Sequence, residues 1–142
     1  MVPYLLSQQL GSAMRARGGG SIVHVVSTLG LRPAPETSAY AASKAALIAA
    51  TRAFALELAP EVRVNAVAPG IVDTDMVRVL RRAPEDGENQ AQAVTRQLEG
   101  FSRLHPLRRM GTPAEIAQAV LYLLDAQWVT GTVLTVDGGV SL

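Results

Sequence analysis

The chain of 142 residues is 49% hydrophobic and 18% charged, so it is long enough to bury a core and is not intrinsically disordered. Its net charge of +1 comes from arginines scattered among acidic residues, which argues against a nucleic-acid partner. The lack of cysteine excludes disulfides and a cysteine nucleophile, and His24 and His105 lack the spacing of metal ligands.

The first fourteen residues, MVPYLLSQQLGSAM, have no basic segment before their short apolar run, so no secretory signal is predicted. The longest apolar stretch, residues 39–59, contains Lys44, Arg52 and Glu57 and is therefore not a membrane span. We expect a soluble, cytoplasmic protein that binds neither nucleic acid nor membranes.

The amino-terminal part predicts a helix and a strand. Residues 2–17 are amphipathic and are followed by three glycines, which are typical of a helix end. Residues 21–27, SIVHVVS, are rich in β-branched residues and apolar on both faces apart from His24. Such a run is typical of a parallel strand covered by helices on both sides.

The second predicted helix spans residues 38–59, with Thr37 or Ser38 as its N-cap and Pro60 as its end. It is followed by a predicted strand at 62–70, VRVNAVAPG, which ends at a glycine turn. Asn65 within that strand is interpreted as a structural amide.

Residues 76–105 are polar, of mixed charge, and interrupted by Pro84, Gly87 and Gly100. We predict one or two loosely packed helices there that form a flap. A helix at 113–125 then begins with a capping box that has proline at the first helical position, and a strand at 132–139, TVLTVDGG, ends the pattern.

The order helix, strand, helix, strand, flap, helix, strand predicts an α/β fold with an open, doubly wound parallel sheet in a single domain, residues 1–142. Ligands bind such sheets at the carboxyl ends of the strands. This rule selects residues 27–30, 69–75 and 137–139 as the candidate site.

Lys44 is the single lysine among 13 basic residues, and it follows Tyr40 by four positions. This spacing places both side chains on one helix face. An ammonium within about 4–6 Å of a phenol favours the phenolate, and a helix N-terminus acts in the same direction, so the pair is a candidate general acid/base. The alternative is that Tyr40 packs against the sheet and Lys44 is a solvated surface charge.

Ser27 ends the first predicted strand, thirteen residues before Tyr40. A strand-end serine is usually a turn former, but its hydroxyl also lies where it could hydrogen-bond a ligand. Pro69-Gly70 is likewise interpreted either as a plain turn or as part of a ligand site.

Together these residues resemble the short-chain dehydrogenase/reductase (SDR) family, because Ser27, Tyr40 and Lys44 match the pattern Ser-x12-Tyr-x3-Lys. The likeness continues in colinear order through YAASKAAL, VRVNAVAPGIVDTDM, PLRRMGTPAEIAQAVLYLL and TGTVLTVDGG. The resemblance implies a partial Rossmann-like fold of about three strands with flanking helices. It also implies an NAD- or NADP-dependent oxidoreductase that transfers hydride between a carbonyl and an alcohol.

The resemblance assigns a role to each catalytic residue. Tyr40 would exchange a proton with the substrate oxygen. Lys44 would favour the ionised form of Tyr40 and hold the nicotinamide ribose, and Ser27 would hydrogen-bond the substrate oxygen.

Further cofactor contacts are implied for the segment after the second strand. Pro69-Gly70 would shape the turn beneath the nicotinamide, the backbone of Ile71 and Val72 would meet the carboxamide, and the Thr74 hydroxyl would reach the carboxamide or pyrophosphate. Apolar flap side chains favour a small apolar alcohol or ketone as substrate: Met76, Val79, Leu80, Leu98, Phe101 and Leu104.

The sequence departs from the family in one large respect. The Gly-rich dinucleotide motif expected upstream of Ser27 is missing, and Gly18 to Gly20 follow a helix and precede a strand, which is the reverse context. The chain thus resembles the carboxyl-terminal half of the fold, and we expect weak cofactor binding. We also expect an unpaired apolar edge at the first strand that makes the chain self-associate, and a homo-oligomer as the working state.

Three functional hypotheses remain open at this point. The first is an SDR oxidoreductase, the chain being a fragment or a gene model begun at an internal methionine. The second is a non-catalytic remnant that acts only by association with a partner. The third, DNA binding through the helix at 113–125, has no support in the charge pattern.

Overall fold

The computed structural model describes residues 2–79, 84–85 and 87–142. The helices and strands in these residues, in chain order, are α1 Val2–Ala16, β1 Gly20–Val25, α2 Ser38–Glu57, β2 Val62–Pro69, α3 Asp75–Val79, α4 Gln90–Leu104, α5 Pro113–Asp125 and β3 Val133–Val136. A single turn of 3-10 helix, Thr28–Gly30, follows β1.

The three strands form one parallel sheet in the order β1-β2-β3. Gly20 lies opposite Val62, and Ala66 lies opposite Val133, so β2 is the central strand. The α/β, Rossmann-like arrangement of three parallel strands with flanking helices is therefore confirmed. Because the strands are parallel, their carboxyl ends meet at one edge of the sheet.

Helices cover both faces of the sheet. On one face Phe54 and Leu58, at the end of α2, pack with Val62 and Val64 of β2, and each large side chain buried there stabilises the fold by about 1.5–3 kcal/mol. Arg63 lies between those two valines and donates to the Leu123 and Leu124 carbonyls of α5 on the other face. The alternation of side chains along β2 thus separates α2 from α5.

The helix starts test the capping predictions. Thr112 and Glu115 form the predicted capping box, with the Glu115 N–H donating to Thr112 Oγ1 and the Thr112 N–H to the Glu115 carboxylate. Thr37 does occupy the N-cap of α2, but its hydroxyl donates to the Ala34 carbonyl at 2.7 Å and makes no cap bond. The Thr37 hydroxyl is thus bonded within the preceding turn and does not cap α2.

Two buried polar side chains act as structural links. Asn65 donates to the Val129 carbonyl and accepts the Thr132 N–H, as expected for a structural amide. His24 is hydrogen-bonded to the Ser7 hydroxyl at 2.7 Å and the Thr51 hydroxyl at 2.8 Å, which ties β1 to α1 and α2. Burial lowers the pKa of His24, because the charged ring loses its water.

The predicted flap contains α3 and α4. Its residues 80–83 and 86, and with them Leu80, lie outside the described residues. Helix α4 starts with a capping box formed by Asn89 and Gln92, which the sequence pattern did not predict. Arg96 on this helix pairs at 3.0 Å with Glu85 and with Glu88, which precede the helix.

Two features are absent from the described residues. None of the helices in this part of the chain combines the length and the hydropathy needed to cross a bilayer. The same residues contain no cluster of three or more His, Asp or Glu side chains arranged to hold a metal ion.

Candidate functional site

Ser27 lies at the carboxyl end of β1 and starts the 3-10 turn. Its side-chain oxygen accepts the Leu29 N–H at 3.2 Å, and the residue is 8% exposed. Since the Leu29 bond uses only a lone pair, the Ser27 hydroxyl proton is still a donor for a ligand at the strand ends.

Tyr40 and Lys44 lie one turn apart near the start of α2. The Lys44 Nζ is 5.5 Å from the centroid of the Tyr40 ring, and it donates to the Val25 carbonyl at 3.1 Å. The Tyr40 side chain is 43% exposed rather than packed against the sheet. The Lys44 ammonium is thus bonded to the end of β1 rather than surrounded by solvent alone.

Gly30 brings the serine turn against α2. A Cβ at this position would lie 2.8 Å from the Lys44 carbonyl carbon and 2.9 Å from the Ala45 nitrogen. Only glycine permits this approach, since backbone atoms cannot move aside as a flexible side chain can. The turn that holds Ser27 and the helix that holds Tyr40 and Lys44 are thus in direct contact.

The Pro69-Gly70 turn forms the other side of the site. Thr28 Oγ1 donates to the Pro69 carbonyl at 3.2 Å, which joins the two sides. The Gly70 N–H donates to the Val136 carbonyl at 3.1 Å, and a Cβ on Gly70 would lie 2.9 Å from the Asp137 Cα. The turn therefore packs closely on the end of β3.

The backbone after Gly70 is held from one side. The Ile71 N–H donates to His105 Nε2 at 3.3 Å, and the Ile71 carbonyl accepts the Gly111 N–H at 3.0 Å. The Asp73 N–H donates to the Gly111 carbonyl at 2.9 Å, which makes an isolated parallel bridge between Val72 and Gly111. In such a bridge the N–H and carbonyl of Val72 itself point to the opposite edge of the segment.

Thr74 continues this segment, and its hydroxyl donates to the Val72 carbonyl at 3.4 Å. This long bond leaves the Thr74 oxygen free to accept a further hydrogen bond. The structure thus brings the predicted cofactor-binding residues of this segment into one short stretch at the end of β2.

The turn after β3 is organised by a carboxylate. Burial by itself would raise the pKa of Asp137, but bonds from the Ser141 hydroxyl and from the N–H groups of Gly139 and Ser141 outweigh burial and hold the pKa below its usual range. The charged form of Asp137 therefore fixes the turn against which Gly70 packs.

His105 is the residue that sequence reasoning missed. The sequence indicated only that its spacing does not suit a metal ligand, whereas the residue is 1% exposed and bonded through both ring nitrogens to backbone groups. No local pattern indicates this, because Ile71 and His105 are 34 residues apart.

Comparisons with known proteins identify the family. Residues 3–141 match a family model described as enoyl-(acyl carrier protein) reductase. A solved structure described as a short chain dehydrogenase/reductase family protein is 39% identical, with a TM-score of 0.78 over 99% of this chain and 54% of that one. The chain belongs to the short-chain dehydrogenase/reductase family.

Two other members show how much of an SDR protein is present. The mouse 3-oxoacyl-[acyl-carrier-protein] reductase is 38% identical over 151 residues, which cover 100% of this chain and 57% of the relative. The ligand-free aldohexose dehydrogenase of Thermoplasma acidophilum is 36% identical, with a TM-score of 0.87 over 97% of this chain and 54% of that one. The chain thus spans about half the length of the SDR relatives that it matches.

Proposed function

We propose that this chain carries the reacting half of an NAD- or NADP-dependent SDR oxidoreductase that interconverts a small-molecule alcohol and ketone. The observation that carries the proposal is the position of Lys44, whose ammonium lies over the Tyr40 ring, 5.5 Å from its centroid, and is bonded to the end of β1. Of its three donors one is used by the Val25 carbonyl, so two remain for a phenolate and a ribose hydroxyl.

Tyr40 is the general acid/base of the proposed reaction. When bound, the nicotinamide supplies the hydride to the carbonyl carbon or takes it from the alcohol carbon. In reduction Tyr40 donates its phenolic proton to the substrate oxygen as that oxygen gains an electron pair, and in oxidation it takes the proton back. Ser27 donates its remaining hydroxyl proton to the same oxygen and stabilises the developing negative charge.

The cofactor carboxamide is assigned to Val72. A primary carboxamide offers two donors and an acceptor, which complements the Val72 N–H and the second lone pair of the Val72 carbonyl, whose other contact is the long bond from Thr74. The same groups of Ile71 already bond to His105 and Gly111, so we assign Ile71 to support of the turn. Thr74 and the Pro69-Gly70 turn complete the cofactor surface in this proposal.

The flap supports an apolar substrate. Met76 on α3 and Leu104 at the end of α4 are 68% and 59% exposed, and side chains of this kind can cover a substrate carbon chain. A small apolar alcohol or ketone is therefore the substrate class that we propose.

A second candidate function is association with a partner without catalysis. It is favoured by β1, the outer strand of the described sheet, whose Val25 side chain is 50% exposed. Ser21 and Val23 of β1 direct their backbone groups away from β2 and can pair with another strand, whereas the Val25 carbonyl is bonded to Lys44.

Binding and turnover separate the two functions. NADH and NADPH are titrated to millimolar concentration and followed by cofactor fluorescence, then their oxidation is measured with small ketones. We expect weak binding, and loss of turnover by at least about a hundredfold in Tyr40→Phe. Tyr122→Phe, an exposed tyrosine on α5, is the matched control and should leave both unchanged.

Two results would count against the oxidoreductase. Full turnover in Tyr40→Phe, with the helix content intact by circular dichroism, would remove Tyr40 from the mechanism. No binding of either cofactor at millimolar concentration would favour the association hypothesis for this chain.

A further inference from the structure

His105 is a buried histidine, and its two hydrogen-bond partners determine which ring nitrogen carries the proton. Its Nδ1 lies 2.7 Å from the Phe101 carbonyl oxygen, and its Nε2 accepts from the Ile71 N–H at 3.3 Å. A carbonyl can only accept and a backbone N–H can only donate. The ring must therefore be neutral, with its proton on Nδ1, because an imidazolium has no lone pair for Ile71.

The ring is also confined by its neighbours. A Cβ on Gly138 would lie 3.4 Å from His105 Cδ2, and the Leu107 N–H donates to the Gly138 carbonyl at 3.2 Å. His105 thus lies between the end of α4, the turn after β2 and the turn after β3. A side chain held on three sides orients a hydrogen-bond partner more accurately than one on a mobile loop.

We propose that His105 is a positioning residue for the nicotinamide-binding turn. By accepting the Ile71 N–H it fixes the plane of the Gly70–Ile71 peptide, and together with the Gly111 bonds to the Ile71 carbonyl and the Asp73 N–H this holds the segment whose Val72 N–H and carbonyl face the carboxamide. The inference rests on the proposed function, since the carboxamide is the group that Val72 would meet. His105 itself touches neither cofactor nor substrate.

His24, the other buried histidine, provides the matched control. Its two partners are the equivalent hydroxyls of Ser7 and Thr51, which also donate to the Pro3 and Leu47 carbonyls, so they do not impose one tautomer. It lies between α1, β1 and α2 and has no bond to the turn after β2. Loss of either ring disturbs the core, but only loss of His105 should disturb the turn.

The first test uses the unmodified chain. Long-range 1H–15N correlation NMR of the histidine rings at pH 7 reports the tautomer of His105, and hydrogen exchange reports the protection of the Ile71 amide. We expect a proton on Nδ1 alone and a protected Ile71 amide. A proton on Nε2, or an Ile71 amide that exchanges as fast as an exposed loop amide, would overturn the proposal.

The second test separates the two ring nitrogens. His105→Gln keeps an acceptor near the position of Nε2, whereas His105→Asn keeps only a donor near the position of Nδ1. We expect the Asn variant to bind NADH about three- to tenfold more weakly and to lose protection at Ile71, since one hydrogen bond is removed. The Gln variant should stay within about twofold of the parent chain, and His24→Asn should not change the affinity.

Equal losses in the Gln and Asn variants, or no loss in either, would overturn the positioning role. The exchange measurement is made without cofactor, so it decides the role of His105 even where the parent chain binds no NADH. If only the proposed function fails, no variant binds NADH, but the Ile71 amide is still better protected in the Gln variant than in the Asn variant.

Discussion

The two sides of the candidate site are built differently. On the β1–α2 side the candidate groups are the side chains of Ser27, Tyr40 and Lys44, which lie within eighteen residues of sequence. On the β2–β3 side they are backbone groups of a turn, held by His105 and Gly111 from distant parts of the chain. Side-chain chemistry can thus be encoded locally, whereas the direction of a backbone N–H depends on long-range contacts.

After the loss expected for Tyr40→Phe, the largest effect that we expect is also on the β1–α2 side and concerns the shape of the cation at position 44. Lys44→Arg should lower turnover by about tenfold or more, because a planar guanidinium cannot bond the Val25 carbonyl and lie beside the Tyr40 ring as a compact ammonium does. The measurement is NADPH oxidation at saturating ketone. Arg52→Lys, an exposed residue of the same helix, is the control and should be neutral.

An active Lys44→Arg variant would contradict the need for a compact cation. The identity of the side chain would then matter no more on the β1–α2 side than on the β2–β3 side.

The next effect concerns the glycines that close each side. Gly30→Ala and Gly70→Ala should each destabilise the fold by roughly 1–3 kcal/mol, because the new Cβ meets backbone atoms at 2.8 Å and 2.9 Å. Gly100→Ala on α4 has no atom within 4 Å of its Cβ and should instead stabilise by about 0.5–1 kcal/mol. Urea unfolding of the three variants measures the difference, and equal midpoints would show that neither close approach matters.

The smallest effect concerns acid stability on the β2–β3 side. Glu115 accepts from Arg109 and from Thr112, just after the Gly111 bridge, and these bonds lower its pKa from 4.5 to about 2. Because the pKa of Glu115 is lower in the folded chain than in the unfolded chain, its ionised carboxylate stabilises the fold. This contribution is fully present above about pH 4.5 and is lost as the pH falls towards 2.

The matching experiment compares the urea midpoints of the parent chain and Glu115→Gln from pH 7 to pH 2. We expect the Gln variant to be less stable at pH 7 and the gap to close as the pH falls. Because the pair is at the surface, the effect should be small and should weaken with salt. A gap that stays constant over this range would show that the carboxylate charge contributes nothing.

Local patterns predicted most of the architecture. The alternation of β-branched runs with helical segments predicted three parallel strands, and the Thr112–Glu115 box marked the first turn of α5 correctly. Thr37 occupies the predicted N-cap position of α2, but its hydroxyl donates to the Ala34 carbonyl and does not cap the helix. A side chain with two local partners of similar strength cannot be assigned from sequence spacing.

The sequence pattern predicted the side-chain groups of the site but not the contacts of its backbone groups. The four-residue spacing of Tyr40 and Lys44 was enough to predict a shared helix face, because helix geometry is the same wherever a helix forms. The bond from Ile71 to His105 was not predictable, because it depends on how α4 returns to the end of β2.

By itself the amino-acid sequence determined which groups can carry acid–base chemistry in this protein and which runs become strands and helices, since both depend on residue type and short-range periodicity. Only the tertiary structure decided that Lys44 bonds to the end of β1, that Gly30 must approach α2 without a side chain, and that His105 bonds to Phe101 and Ile71. These features depend on distances between segments far apart in the chain, and such distances are set by the packing of the whole sheet and its helices.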